Sequence, residues 1–264
     1  MLVFNCTKAA AEFFTVTRHG KKHSPLLAPQ TETVNDSGTE IQPISQWLVH
    51  AVKVRRKHVL IAMHIHTRYA MVFCDLKKAD KSGFLTLFTE RLFNGMLFFA
   101  EEFALCDESE FRQIFAGFDV YHGDVCFCLR GDRSVQSHIN DVAWQFEDTV
   151  NDVGSFPDNY GEAASFDEWA NSTIRSVRQS KDYFFPDEAM FTRWFTRYSG
   201  RGNSDEAAIL RSFDALRRRP LSYAESDEEN QEESHNASHD KHHDKPLPDN
   251  VIDLAKVRAE RNKR

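Results

Sequence analysis

No run of about eighteen uninterrupted apolar residues occurs in the chain, so no membrane-spanning helix is expected. The opening MLVFNCTKAAAEFF lacks the basic start, long apolar run and small-residue cleavage site of a signal peptide. A glycine-rich phosphate loop and a G-x-S-x-G elbow are both missing, which removes two common catalytic signatures. Cysteine is sparse and odd in number, with five residues and no paired ligand sets of the kind that hold structural zinc. Free, buried thiols in a reducing cytoplasm are the expectation. The body also lacks an excess of one charge. The net charge is −7; residues 221–244 carry eight acids and one Lys (−7) and residues 250–264 carry two acids and five Lys/Arg (+3), which leaves −3 for the rest. That near-neutral body argues against a strongly basic nucleic-acid binder.

What is present is apolar and aromatic. Hydrophobic residues make up 41% of the 264, and 22 are Phe, ample for a core. Residues 47–75, WLVHAVKVRRKHVLIAMHIHTRYAMVFCD, read as three consecutive strands. Val59, Ile61, Met63 and Ile65 share one face at period two, while His58, Leu60, Ala62 and His64 share the other. One face is expected to pack on the core and the mixed face to be lightly covered. Arg55-Arg56-Lys57 and His66-Thr67-Arg68 supply the turns, without the Asn-Gly or Asp-Gly signal of a tight primed turn.

Around this meander the pattern predicts a strand at 2–4, a helix over 8–14 capped by Thr7, and a flexible surface loop over 18–45. Helices follow from Ser82 (with Gly95 as a kink or close contact), near 108–117 behind an Asp107/Glu110 capping box, and from Ser134. A strand is expected near 121–129 and a linker over 154–165. Pro186 opens a helix to about Tyr198, and a last helix spans about 204–218. The fold class is α+β: a small, mainly antiparallel sheet covered on one side by the helices of 82–153, with a C-terminal helical lobe and a disordered tail. The expected domains are an α+β core over 1–153, a helical extension over 154–220, an acidic, His-rich disordered linker over 221–249, and a short basic amphipathic motif over 250–264.

LVFNCTK at the start, QWLVH at 46–50, RRKHVL with HTRY, and the later GDRSVQSHIN and YFFPDEAM segments carry a resemblance. Together they resemble a family of bacterial proteins known only as a domain of unknown function, in its long gamma-proteobacterial members. The resemblance covers most of residues 1–200. It implies a bacterial, cytoplasmic α+β protein, sometimes associated with mobile elements. It supplies no activity and no catalytic residues.

The candidate chemistry is thin. His64 and His66 have i, i+2 metal-ligand spacing. His58 cannot join them, being about 20 Å from His64 along a strand rising roughly 3.3 Å per residue. Cys126 and Cys128, with His122, form a second pair, and small buried hydrophobes are the simpler reading. Arg55, Arg56, Lys57 and Arg68 are the candidate nucleic-acid contacts. Val251, Leu254, Val257 and Arg258 are the candidate contacts with an unidentified protein partner. No cofactor is expected, a divalent metal being left open, and no membrane association is expected. The favoured reading is a non-enzymatic cytoplasmic interaction or regulatory protein. The alternatives are a nucleic-acid binder using the basic turns and a metal-dependent hydrolase using His64 and His66.

Overall fold

The computed structural model describes residues 1–27, 45–177 and 182–219, the side chains of residues 121 and 122 aside. The meander forms as its periodicity predicts. Strands β4 (Ser45–Val54), β5 (Lys57–His64) and β6 (Ala70–Phe73) pair antiparallel, with Trp47 opposite His64 and Met63 opposite Ala70. The apolar run β1 (Leu2–Cys6) does not extend the meander in the same sense. It lies parallel to β4 on one side and to β7 (Val125–Leu129) on the other, giving the order β6-β5-β4-β1-β7. Interior parallel strands are buried on both faces, and β1 is buried apart from the half-buried Val3, its polar residue Asn5 donating to Gln46 Oε1 at 3.4 Å.

Helix α1 (Lys8–Phe14) and the hairpin β2 (Val16–Arg18)–β3 (Lys21–His23) follow β1. Helices α2 (Lys81–Glu102) and α3 (Glu108–His122) carry the chain from β6 to β7. After β7 come α4 (Arg133–Val153), α5 (Tyr160–Asn171), the short hairpin β8 (Arg175–Ser176)–β9 (Tyr183–Phe184), α6 (Pro186–Tyr198) and α7 (Glu206–Arg218).

Both faces of the sheet are covered, where the sequence suggested one. Trp47, Leu60, Ala62 and Phe73 pack against α1, α2, α3, α6 and α7. Leu48, Ile61, Met63 and Val72 pack against α4 and α5. The helices of 82–153 therefore divide between the two faces. The mixed, histidine-bearing face lies under the larger cluster, built on edge-to-face contacts such as Phe4–Phe88 at 4.8 Å between ring centroids. Helices α6 and α7 place Phe191, Trp194, Phe195 and Phe213 in that same cluster, so they share the core of the sheet.

Several boundaries differ for local reasons. Asp80, not Ser82, caps α2 by accepting from Gly83 N, and Asp132, not Ser134, caps α4 by accepting from Val135 N. Helix α3 runs through His122, so β7 begins only at Val125. The expected linker over 154–165 contains the first turns of α5, capped by Asn159. Gly95 is a close contact: a Cβ there would lie 3.1 Å from the Tyr69 hydroxyl. Arg55 and Arg56, at φ 42° and 70°, form a two-residue turn with the backbone signs of a primed hairpin despite lacking glycine. The expected loop over 18–45 begins as the β2–β3 hairpin and ends at the start of β4, while its residues 28–44, and the linker and basic motif beyond residue 219, lie outside the described residues.

Candidate binding site

The residues nominated from the sequence do not converge. His64 is buried on the larger-core face, where its Nδ1 lies 2.9 Å from Thr67 Oγ1 and accepts from Thr67 N at 3.2 Å. Burial, with Arg193, His66 and Arg68 nearby, holds its pKa well below the ordinary imidazole value, so the ring is neutral. His66 is exposed in the turn, its ring centroid 5.8 Å from that of His64. Among the described residues, no three His, Cys, Asp or Glu side chains gather as a metal site.

The basic set scatters as well. Arg55 donates to Asn151 Oδ1 at 3.0 Å and to Gly154 O at 2.7 Å, tying the β4–β5 turn to the end of α4. Lys57 Nζ sits 4.7 Å from the Phe156 ring centre, and Arg56 is exposed beside it. Arg68 is buried in the turn between β5 and β6, bonded to Ser134 Oγ at 3.1 Å. These four cations do not form one surface patch. Cys126 and Cys128 are buried with their sulfurs 3.1 Å apart, and burial, with Cys128 adjoining, pushes the Cys126 thiol up to about 11, so it is protonated and unreactive at neutral pH. Val251, Leu254, Val257 and Arg258 lie outside the described residues.

Two other arrangements were less legible. The first closes the β6 edge of the sheet. Asn171 of α5 accepts from Ala70 N at 2.7 Å and donates to Ala70 O at 2.8 Å. One turn back, Asp167 accepts from Val72 N at 2.9 Å, and Arg91 of α2 donates to Val72 O and to Asp167. The i, i+4 rise of a helix is about 6 Å and the two-residue repeat of a strand about 6.7 Å, so two helical side chains can meet two successive outward positions of β6. Four edge groups that would otherwise recruit another strand are satisfied. A cavity of about 180 Å³ lies beside this cap, lined in part by Tyr69, Tyr160, Asp167 and Asp187. Burial pushes the Asp167 carboxyl up to about 6 against the pull of Arg91, and does the same to Asp187 against Arg217. Asp167 and Arg91 are thus already engaged in holding the edge strand.

The second arrangement is a cavity of about 710 Å³ between α4 and α5, within the usual range for ligand pockets. Its walls include Phe146, Val150, Val153, Phe156, Phe166 and Trp169. Val153 is 70% exposed and Trp169 50%, so the apolar wall reaches the surface. Residues 141–168 contain eight Asp/Glu and no Lys or Arg. All of the eight except Asp167 are exposed, which gives the cavity an acidic surround, except at the β4–β5 turn, where Lys57 lies over Phe156 and Arg55 bonds Asn151 and Gly154. Asn159 followed by Glu162 was a sequence signal for the start of α5, and hence for this wall.

The domain of unknown function DUF6933 matches residues 3–189. The chain belongs to that family. No curated protein and no solved structure matches it. The DUF6933 match takes in the five-stranded sheet from Val3 onward, the edge cap and both cavities, and ends in the first turn of α6. Among the described residues of this DUF6933 member, no helix is long and apolar enough to cross a membrane.

Proposed function

We propose that this protein is a non-enzymatic interaction protein of the cytoplasm whose docking surface is the cavity between α4 and α5. The occupant is the basic amphipathic segment 250–264 of the same chain. The observation that carries the reading is the pairing of an open apolar wall with an acidic surround free of Lys and Arg over residues 141–168. Val251, Leu254 and Val257 recur at helical spacing, with Arg258 one turn beyond Leu254 and a net charge of +3 across 250–264. An amphipathic helix in an apolar groove is a recurrent docking mode.

Reach permits it. Arg219 pairs with Glu102 at the end of α2, while Tyr160 of α5 donates to Glu90 O twelve residues earlier, about 18 Å along the helix. The 31 residues between Arg219 and Val251 can span up to roughly 100 Å. The acidic stretch 221–244 is repelled by the same acidic surface, so the basic segment alone is drawn to it. Free thiols at Cys6, Cys74, Cys106, Cys126 and Cys128 support the cytoplasmic placement.

A photoreactive side chain at position 254 of the full chain tests the docking. Cross-links within one chain to residues 146–169, weakening as salt is raised, are the expected result. Cross-links confined to other surfaces, or formed only between chains, would contradict it.

A further inference from the structure

Arg68 and Arg175 are 5% and 7% exposed, yet neither forms an ion pair among the described residues. Arg68 leaves the turn between β5 and β6, and its guanidinium donates to Ser134 Oγ at 3.1 Å in the first turn of α4. Arg175 opens β8, and its guanidinium donates to Ala170 O at 3.2 Å. The buried Nε of each has no partner. The two cations are close enough to oppose one another's charge, and both act on the half-buried ring of His138, one turn along α4 from Ser134. Asp132 and Asp141 supply the opposing negative charge, but neither comes within the 4.0 Å of an ion pair with either guanidinium. Removing like charges from water without neutralising them is costly, several kcal/mol per ion.

We infer that Arg68, Arg175, Ser134 and His138, at the N-terminal end of α4, form a binding site for a phosphate-class oxyanion, either inorganic phosphate or a phosphate monoester. Guanidinium N–H groups match oxyanion geometry, and the two arginines lie at the N-terminal end of α4, whose first turn is already capped by the Asp132 carboxylate. Ser134 is exposed and His138 half-buried, so the group is reached from solvent on that side. The depressed pKa of His138 arises from burial first and then from Arg175 and Arg68, against Asp141 and a hydrogen bond between the ring and the Ser176 backbone. A bound dianion offsets those cations, so the His138 pKa rises on binding.

Thermal unfolding of the full chain with inorganic phosphate, phenyl phosphate and chloride, at matched ionic strength, tests the assignment. Phosphate-specific stabilisation is expected, with an upward shift of the His138 titration followed by NMR. A larger effect of phenyl phosphate identifies a monoester as the preferred form, and an equal or smaller one identifies the free ion. Arg175→Met should abolish the phosphate response while raising the melting temperature of the unliganded chain, because it removes an uncompensated buried charge. Ser134→Ala leaves the Asp132 helix cap in place but removes the partner of the Arg68 guanidinium, and should weaken binding by roughly tenfold, the worth of one hydrogen bond to a charged group. Equal responses to phosphate and chloride, or an undiminished phosphate response in Arg175→Met, would overturn the site.

Discussion

His64 shows how little of a side chain's fate is visible in its neighbours along the strand. Its spacing to His66 is that of a ligand pair, yet the ring is buried beside Thr67 and Met190. Period two placed it on the correct face, but the cover comes from α6, more than a hundred residues later. Its folded-state pKa is depressed, so the unfolded chain binds more protons. The corresponding stability is complete above about 6.5 and is lost as the pH falls, by up to about 1.4 kcal/mol per unit. His50 and His138 are depressed as well and contribute in the same window. Asp167 and Asp187, raised to about 6, act with the opposite sign: their contribution is greatest below about 4 and is lost as the pH rises through 6. The diagnostic is therefore a difference. In urea unfolding between pH 7 and 5, His64→Gln should lose less stability than the parent chain, and parallel curves would exclude the assignment. Asp167→Ala leaves Arg91 buried without its carboxylate and should cost about 3–5 kcal/mol in the same assay.

The antiparallel meander was legible because strand alternation is local, as were the Thr7 cap, the capping box at Asp107 and Pro186 at the start of α6. The parallel placement of β1 was not, since nothing in LVFNC specifies which strands flank it. Helix α5 was obscured by its Gly- and Asn-containing start, and with it went both the cap on β6 and one wall of the large cavity. Asn171→Ala should leave Ala70 N and O unsatisfied at a cost of about 1–3 kcal/mol for each buried group, and should speed hydrogen exchange selectively at Ala70. Unchanged exchange at Ala70 would show that the edge is closed by something else. In the β4–β5 turn, Arg56 holds a positive φ that favours glycine, while Arg55 also anchors the end of α4. Arg56→Gly should therefore stabilise the hairpin by about 0.5–1 kcal/mol in thermal unfolding, and Arg55→Gly should not, because it loses those bonds.

Charge is unevenly distributed along the chain. The near-neutral sum over the body concealed a segmental pattern: residues 141–168 without Lys or Arg, an acidic stretch at 221–244, and a net +3 at 250–264. Composition revealed the last two, and only the packing of α4 against α5 showed that the first surrounds an apolar cavity. The DUF6933 match encloses that cavity but not residues 250–264, so the proposed docking surface lies inside the matched region and the proposed occupant outside it. Hydrogen exchange of the full chain is the most direct test of the docking. Replacing Leu254 and Val257 together with Asp should accelerate exchange of α5, residues 160–171, and increase the solvent exposure of Trp169, with β4 and β5 unchanged. Identical protection of α5 in the two chains would contradict the account.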